Sequence, residues 1–251
     1  MSALFLAGCV VLGAVGGSGV DAWIRAVAAR EARQNAFRAG TGTGPNPGTD
    51  VRPGVPLDQH LTAGGAWPLV VPALSALGCL LAGIRFGPAL VVVPFLFFVP
   101  LLAELAVVDL HTHRLPNALT LPSYLVGLVL VGGTAAARGE PAVLARAVAA
   151  AVLLFVVFLT LALLRPAGMG MGDVKAAGVI GLFVGSLGIG AALVAAFLAA
   201  LLALVGGFVL MAAGRIGRRT PTPFGPWLAL GALTAMLAGP ALFAAYLGSM
   251  T

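Results

Sequence analysis

This chain has little charge. Asp, Glu, Lys and Arg make up 9% of its 251 residues, and mean hydropathy is +1.07. Soluble domains carry about 25% charged residues, so a water-soluble fold is excluded. Cysteine is scarcer still. Cys9 and Cys79 each stand in an apolar run with no companion at metal-ligand spacing, which excludes a zinc site and a disulfide framework. Both read as buried, inert thiols. No long basic patch is present either: the net charge of +6 comes from dispersed, mostly arginine residues. Such a pattern orients membrane spans and does not describe a nucleic-acid surface. With only eight acidic residues in the chain, any carboxylate at the edge of an apolar run is conspicuous, because it is costly there and needs a partner.

What the chain does have is apolar runs. A spanning helix needs roughly 20 apolar residues, which makes this an all-α, polytopic membrane protein with about eight transmembrane helices. The first is expected over residues 3 to about 24. Leu6-Ala7-Gly8-Cys9 has the outline of a lipoprotein processing site, but the eight residues before Cys9 include no basic one, so this span is read as retained. Small residues between Gly13 and Gly19 would let a neighbouring helix come close. Asp21 and Arg25, four apart, can pair on one helix face near Trp23, at the membrane interface or against substrate.

Residues 28–66 pass into Thr-Gly-Thr-Gly-Pro-Asn-Pro-Gly, a composition that cannot form a packed core and reads as a flexible loop. Further spans are expected at about 67–84, 88–108, 118–131, 143–164, 174–188 and 191–213, and from Pro226 to about 247. The chain thus divides into residues 1–27, a first helix with its extension; 28–66, a flexible loop; and 67–251, a seven-helix domain. Pro68, Pro72, Pro94 and Pro100 are tolerated in such helices where neighbours re-satisfy the freed carbonyls.

With the amino terminus outside, one side of the membrane receives Arg25, Arg30, Arg33, Arg38, Arg52, Arg114, Arg165, Lys175, Arg215, Arg218 and Arg219. The other receives only Arg85, Arg138 and Arg146. The side richer in arginine and lysine is the cytoplasmic one. That arrangement also places Asp109, ending the third span, and Asp173, opening the sixth, at one depth on the cytoplasmic side.

Two carboxylates sharing a site cannot both ionise easily, so one stays an acid while the other is a base. Such a pair can activate water against a peptide carbonyl and protonate the leaving nitrogen. It can equally relay protons in a transporter or channel subunit, and spacing alone leaves both readings open. Asp173 follows Gly168, Gly170 and Gly172, whose bare backbone can take unusual dihedrals and approach a substrate strand. Lys175 either binds substrate and biases the local charge or is an interfacial lysine. Glu104, one to two turns before Asp109, either shapes the site or is a structural hydrogen-bonding residue. Residues 110–117 are expected as a polar turn. His111 and His113 in it lack a third ligand, so no metal is assigned; Arg114 is a candidate anchor for the turn. Pro116 and Asn117 form a helix start.

Gly170-Met171-Gly172-Asp173-Val174-Lys175, together with Asp109 and Arg114-Leu115-Pro116-Asn117, resembles the type IV prepilin peptidases, Gly-x-Gly-Asp membrane aspartic proteases. Pro223-Phe224-Gly225-Pro226 is similar to that family's motif before the last span, and Gly17-Ser18 with Arg25 to its first span. The resemblance implies an aspartic endopeptidase with Asp109 and Asp173 as the catalytic pair. Gly170, Gly172, Lys175, Arg114 and Glu104 would support it, with no cofactor. It implies prepilin or pseudopilin substrates, cleaved after a short basic leader at the cytoplasmic face of the inner membrane, in pilus assembly or secretion. Bifunctional members carry paired Cys-x-x-Cys motifs in the first loop and methylate the new amino terminus with S-adenosylmethionine. Residues 28–66 contain no cysteine, so the resemblance covers the peptidase and leaves the loop a degenerate methyltransferase region.

Overall fold

The computed structural model describes residues 2–19, 22, 67–112, 115, 117–164, 169–215, 217 and 223–249. Among them the fold is all helical. The helices are α1 (Ala3–Gly19), α2 (Trp67–Phe86), α3 (Val92–Thr112), α4 (Asn117–Ala137), α5 (Pro141–Leu164), α6 (Met171–Gly185), α7 (Ile189–Ala212) and α8 (Gly225–Gly248). All but α1 and α6 are long and apolar enough to cross a membrane. The expected polar turn after Asp109 is shorter than the sequence suggested, since α3 continues through Thr112.

Glycine ends two of these helices by the same device. Gly139 and Gly214 take φ of 67° and 69°, a left-handed conformation that glycine reaches without penalty. The amide after each glycine bonds back across the turn, Glu140 N–H to Ala135 O at 2.9 Å and Arg215 N–H to Leu210 O at 3.0 Å. This satisfies carbonyls that the helix end would otherwise orphan.

The helices run alternately up and down, and small residues hold them close. In a bilayer there is no hydrophobic drive between helices, so intimate packing must supply the association. On α6, Gly178, Gly181 and Gly185 form one side, and Gly181 and Gly185 lie against Ala147, Ala150 and Ala151 of α5. On α8, Gly231 and Gly239 accept the backbone of α7 at Ala195, Ala199 and Ala191. Gly13 and Gly17 of α1 lie on Ser75 of α2, and Gly83 of α2 lies on Cys9, the close approach expected of the first span.

Two helices occupy the centre. In α6, twelve of fifteen residues are buried, and it touches α3, α4, α5, α7 and α8. A helix that is apolar all round and this short belongs inside a bundle. Over the spanning window of α3, 72% of residues are buried, against 11% for α7, whose Phe197, Leu204 and Phe208 face outward. At one end of the bundle an aromatic ladder joins α2, α3 and α6. Phe86 stacks on Phe95 at 4.8 Å, Phe95 meets Phe98 edge-on at 6.3 Å, and Phe98 stacks on Phe183 at 4.7 Å. Each such pair contributes about 0.5–1.5 kcal/mol beyond its area. The arginines of this end are tied down. Arg85 Nε donates to Leu237 O at 2.8 Å, on the turn of α8 disturbed by Pro240. Arg146 donates twice to Ser186 O, at 3.1 and 2.9 Å, and Arg138 pairs with Glu140 at 2.8 Å.

Candidate active site

The opposite end of the bundle is where α3 and α7 finish and where α6 and α8 begin. Asp109 lies in the last turn of α3 and is 4% exposed; Asp173 is the third residue of α6 and is 9% exposed. The two central helices therefore each deliver one carboxylate, from opposite directions, to one depth. The two groups are near enough that the charge of Asp109 bears on Asp173.

Each carboxylate is held by the start of a helix. The Gly225 N–H, first of α8, donates to Asp109 Oδ2 at 2.6 Å. That amide is one of the donors a helix N-terminus leaves unsatisfied, and the helix dipole there favours a negative partner. Asp109 thus caps α8 from another helix. Asp173 does the same within its own, accepting the Gly170 N–H at 3.2 Å on Oδ2. These two donors offset part of the cost of placing two like charges in a buried site.

Glycine has a different task at each position. A Cβ on Gly225 would lie 2.7 Å from Asp109 Cβ and 2.8 Å from its Oδ2, so only glycine lets α8 come this close. A Cβ on Gly172 would lie 2.8 Å from Leu115 Cβ, so this glycine seats the connection from α3 to α4 against the start of α6. Gly170, the residue before α6, has φ −79° and ψ 149°, extended backbone that any residue adopts. Unusual dihedrals, expected from sequence, are not its role. A Cβ there would meet Asp173 Oδ2 at 3.6 Å, an ordinary contact.

Lys175 and Glu104 are placed differently. Lys175 Nζ donates to Asn117 Oδ1 at 2.6 Å. Glu104 is buried, 2% exposed, but five residues turn a helix by about 140° from Asp109, at 3.6 residues per turn, so it does not share that face. Gly168, His113, Arg114, Pro116, Arg165, Arg218 and Arg219 lie outside the described residues, as do Asp21, Trp23, Arg25 and the loop 28–66. Two residues escaped the sequence reading. Gly225 was visible only as part of a motif, with nothing to say that its amide binds Asp109. Tyr124 donates its hydroxyl to Lys175 O at 2.8 Å; its one signal was a tyrosine inside an apolar helix, where the hydroxyl needs a partner.

Residues 96–216, which contain both aspartates, match the type IV leader peptidase family. That segment is similar to the family. Three bacterial proteins named prepilin leader peptidase/N-methyltransferase are similar to it. The Bacillus subtilis protein is 32% identical over 66% of this chain and 64% of its own length. The Xanthomonas campestris protein is 35% identical over 58% and 50%, and the Dickeya chrysanthemi protein 31% over 65% and 56%. The chain thus spans between half and two thirds of the relatives it matches. No solved structure matches it significantly. The leader peptidase match ends at residue 216, before Gly225, so the amide that holds Asp109 lies beyond the matched segment.

Proposed function

We propose that this protein is a membrane aspartic endopeptidase that removes the leader of type IV prepilins or pseudopilins. The observation that supports it best is the meeting of Asp109 and Asp173, from the two most enclosed helices, inside a segment that matches the leader peptidase family. The pair holds one proton between its members. The ionised carboxylate takes a proton from a water, whose oxygen bonds to the scissile carbonyl carbon. The protonated one gives its proton to the departing nitrogen as the carbon–nitrogen bond breaks. The Gly225 and Gly170 amides keep the carboxylates in place through the cycle. Leu115 on Gly172 fixes the start of α6, and Lys175 adds positive charge two residues beyond Asp173.

The site lies at one end of the bundle. Proton-coupled transporters place their coupling groups near mid-depth, between repeats, so this position favours the peptidase over the relay reading. From the order of the apolar runs in the sequence, eleven of the fourteen lysines and arginines are expected on the side of the membrane that carries Asp109 and Asp173. By the positive-inside rule that end faces the cytoplasm, in a multi-pass protein of the inner membrane.

Co-expression with a pilin-like precursor from the same genome tests the reading through loss of the leader. Mass spectrometry of the product then reports on methylation. The cysteine-free loop 28–66 leads us to expect an unmodified amino terminus, in contrast to the bifunctional names of the relatives.

A further inference from the structure

The first turn of α6 is held from the side by α4. Asn117 and Tyr124 are seven residues apart, two turns of helix, and so lie on one face of α4. Both reach the same residue. Lys175 Nζ donates to Asn117 Oδ1 at 2.6 Å, and Tyr124 donates its hydroxyl to the Lys175 carbonyl at 2.8 Å. Lys175 is two residues beyond Asp173, within one turn of it. Gly178 makes the second contact possible, because a Cβ there would collide with the Tyr124 hydroxyl and lie 3.1 Å from the ring carbon that bears it. A tyrosine, a glycine one turn further along α6 and the backbone between them thus form a single fitted unit beside Asp173.

We propose that Tyr124 is a positioning residue for Asp173, setting the rotation and depth of the α6 start against α3. The kinetic side of this rests on the peptidase reading above. The carbonyl of Lys175 already serves the helix, so the tyrosine hydroxyl adds a second, lateral bond whose loss leaves α6 helical and frees its first turn to shift. Lys175 is held to Asn117 by the same face, which keeps its ammonium from folding back toward Asp173.

The test uses the full-length protein in detergent, with a synthetic peptide that joins a short basic leader to an apolar helical segment. Tyr124→Phe is expected to lower kcat about fivefold, the factor one hydrogen bond is worth, with KM unchanged. Gly178→Ala should lower kcat further. The double variant should recover above Gly178→Ala alone, since the hydroxyl that the new methyl strikes is gone; two independent lesions would instead add. Tyr246→Phe, exposed at the far end of α8, is the control and should match the unaltered protein. Amide hydrogen exchange over residues 173–179 should quicken in Tyr124→Phe while α7 and α8 stay protected.

An unchanged kcat, or a raised KM at constant kcat, in Tyr124→Phe overturns the proposal, and so does unchanged exchange in the first turn of α6. If Asp173→Asn cleaves normally, the peptidase reading fails, and the exchange measurement then decides the positioning role alone.

Discussion

Gly225→Ala puts the account under the sharpest strain, because one methyl group is set against one hydrogen bond. The added Cβ would lie 2.7 Å from Asp109 Cβ and 2.8 Å from Oδ2, where carbon atoms rest at about 3.5–4.0 Å. Relief requires α3 and α8 to part by about 1 Å. The Gly225 to Asp109 bond, now 2.6 Å, would stretch to about 3.6 Å, beyond hydrogen-bonding distance. A misplacement of about 1 Å at a reacting group costs on the order of 100-fold in rate. The lost bond to a charged group would destabilise the fold by about 1.5–3 kcal/mol. Leader cleavage by the purified variant, below its thermal midpoint, should therefore fall about 100-fold. Gly207→Ala is the matched control, since a Cβ on that α7 glycine meets nothing within 4 Å; it should cleave at the normal rate. Wild-type cleavage by Gly225→Ala would refute the claim that the start of α8 belongs to the site.

The two glycines before Asp173 should separate in the same assay. Gly172→Ala drives a methyl into Leu115 and should lose both stability and cleavage. Gly170→Ala fits, so its melting temperature should be unchanged, and any loss of its cleavage rate measures how closely substrate approaches that backbone. At the opposite end, Arg146→Ala leaves the Ser186 carbonyl without its two side-chain donors. It should cost about 0.5–1.5 kcal/mol in stability, since water can reach the exposed carbonyl, and leave kcat unaltered at permissive temperature. Membrane orientation can be read by labelling single cysteines in intact cells, after replacing the buried Cys9 and Cys79. A cysteine at Arg218 should be protected from an impermeant reagent and one at Arg138 labelled; the reverse pattern would overturn the cytoplasmic placement.

Most helices were legible in the sequence because each is an apolar run closed by glycine, proline or charge. The segments expected at 143–164 and 191–213 became Pro141–Leu164 and Ile189–Ala212. The aspartate pair was legible for the same reason: a carboxylate at the edge of an apolar run is expensive enough to need an explanation. Hydropathy describes a residue and says nothing of its neighbours, so it gave α6 and α7 the same status. In the fold α6 is an enclosed axis of fifteen residues, whereas α7 faces outward. The helix-N-terminal amide that holds Asp109 was not legible. It is a backbone donor 116 residues away, and nothing in the identity of Gly225 reports which side chain packs on it. Tyr124 was lost likewise, since its partner is the backbone of Lys175 and not its side chain. Gly172 was noticed, but its work is to seat Leu115, which sequence spacing does not show.

We propose that Asp109 and Asp173 act as one chemical unit. The most direct measurement is the cleavage rate of a leader-bearing pilin-like precursor in liposomes, by the unaltered chain and by Asp109→Asn and Asp173→Asn, with folding checked by thermal unfolding. Each folded single variant is expected to lose cleavage to background, and the double variant to be no worse than either. Normal processing by either single variant would contradict the proposal.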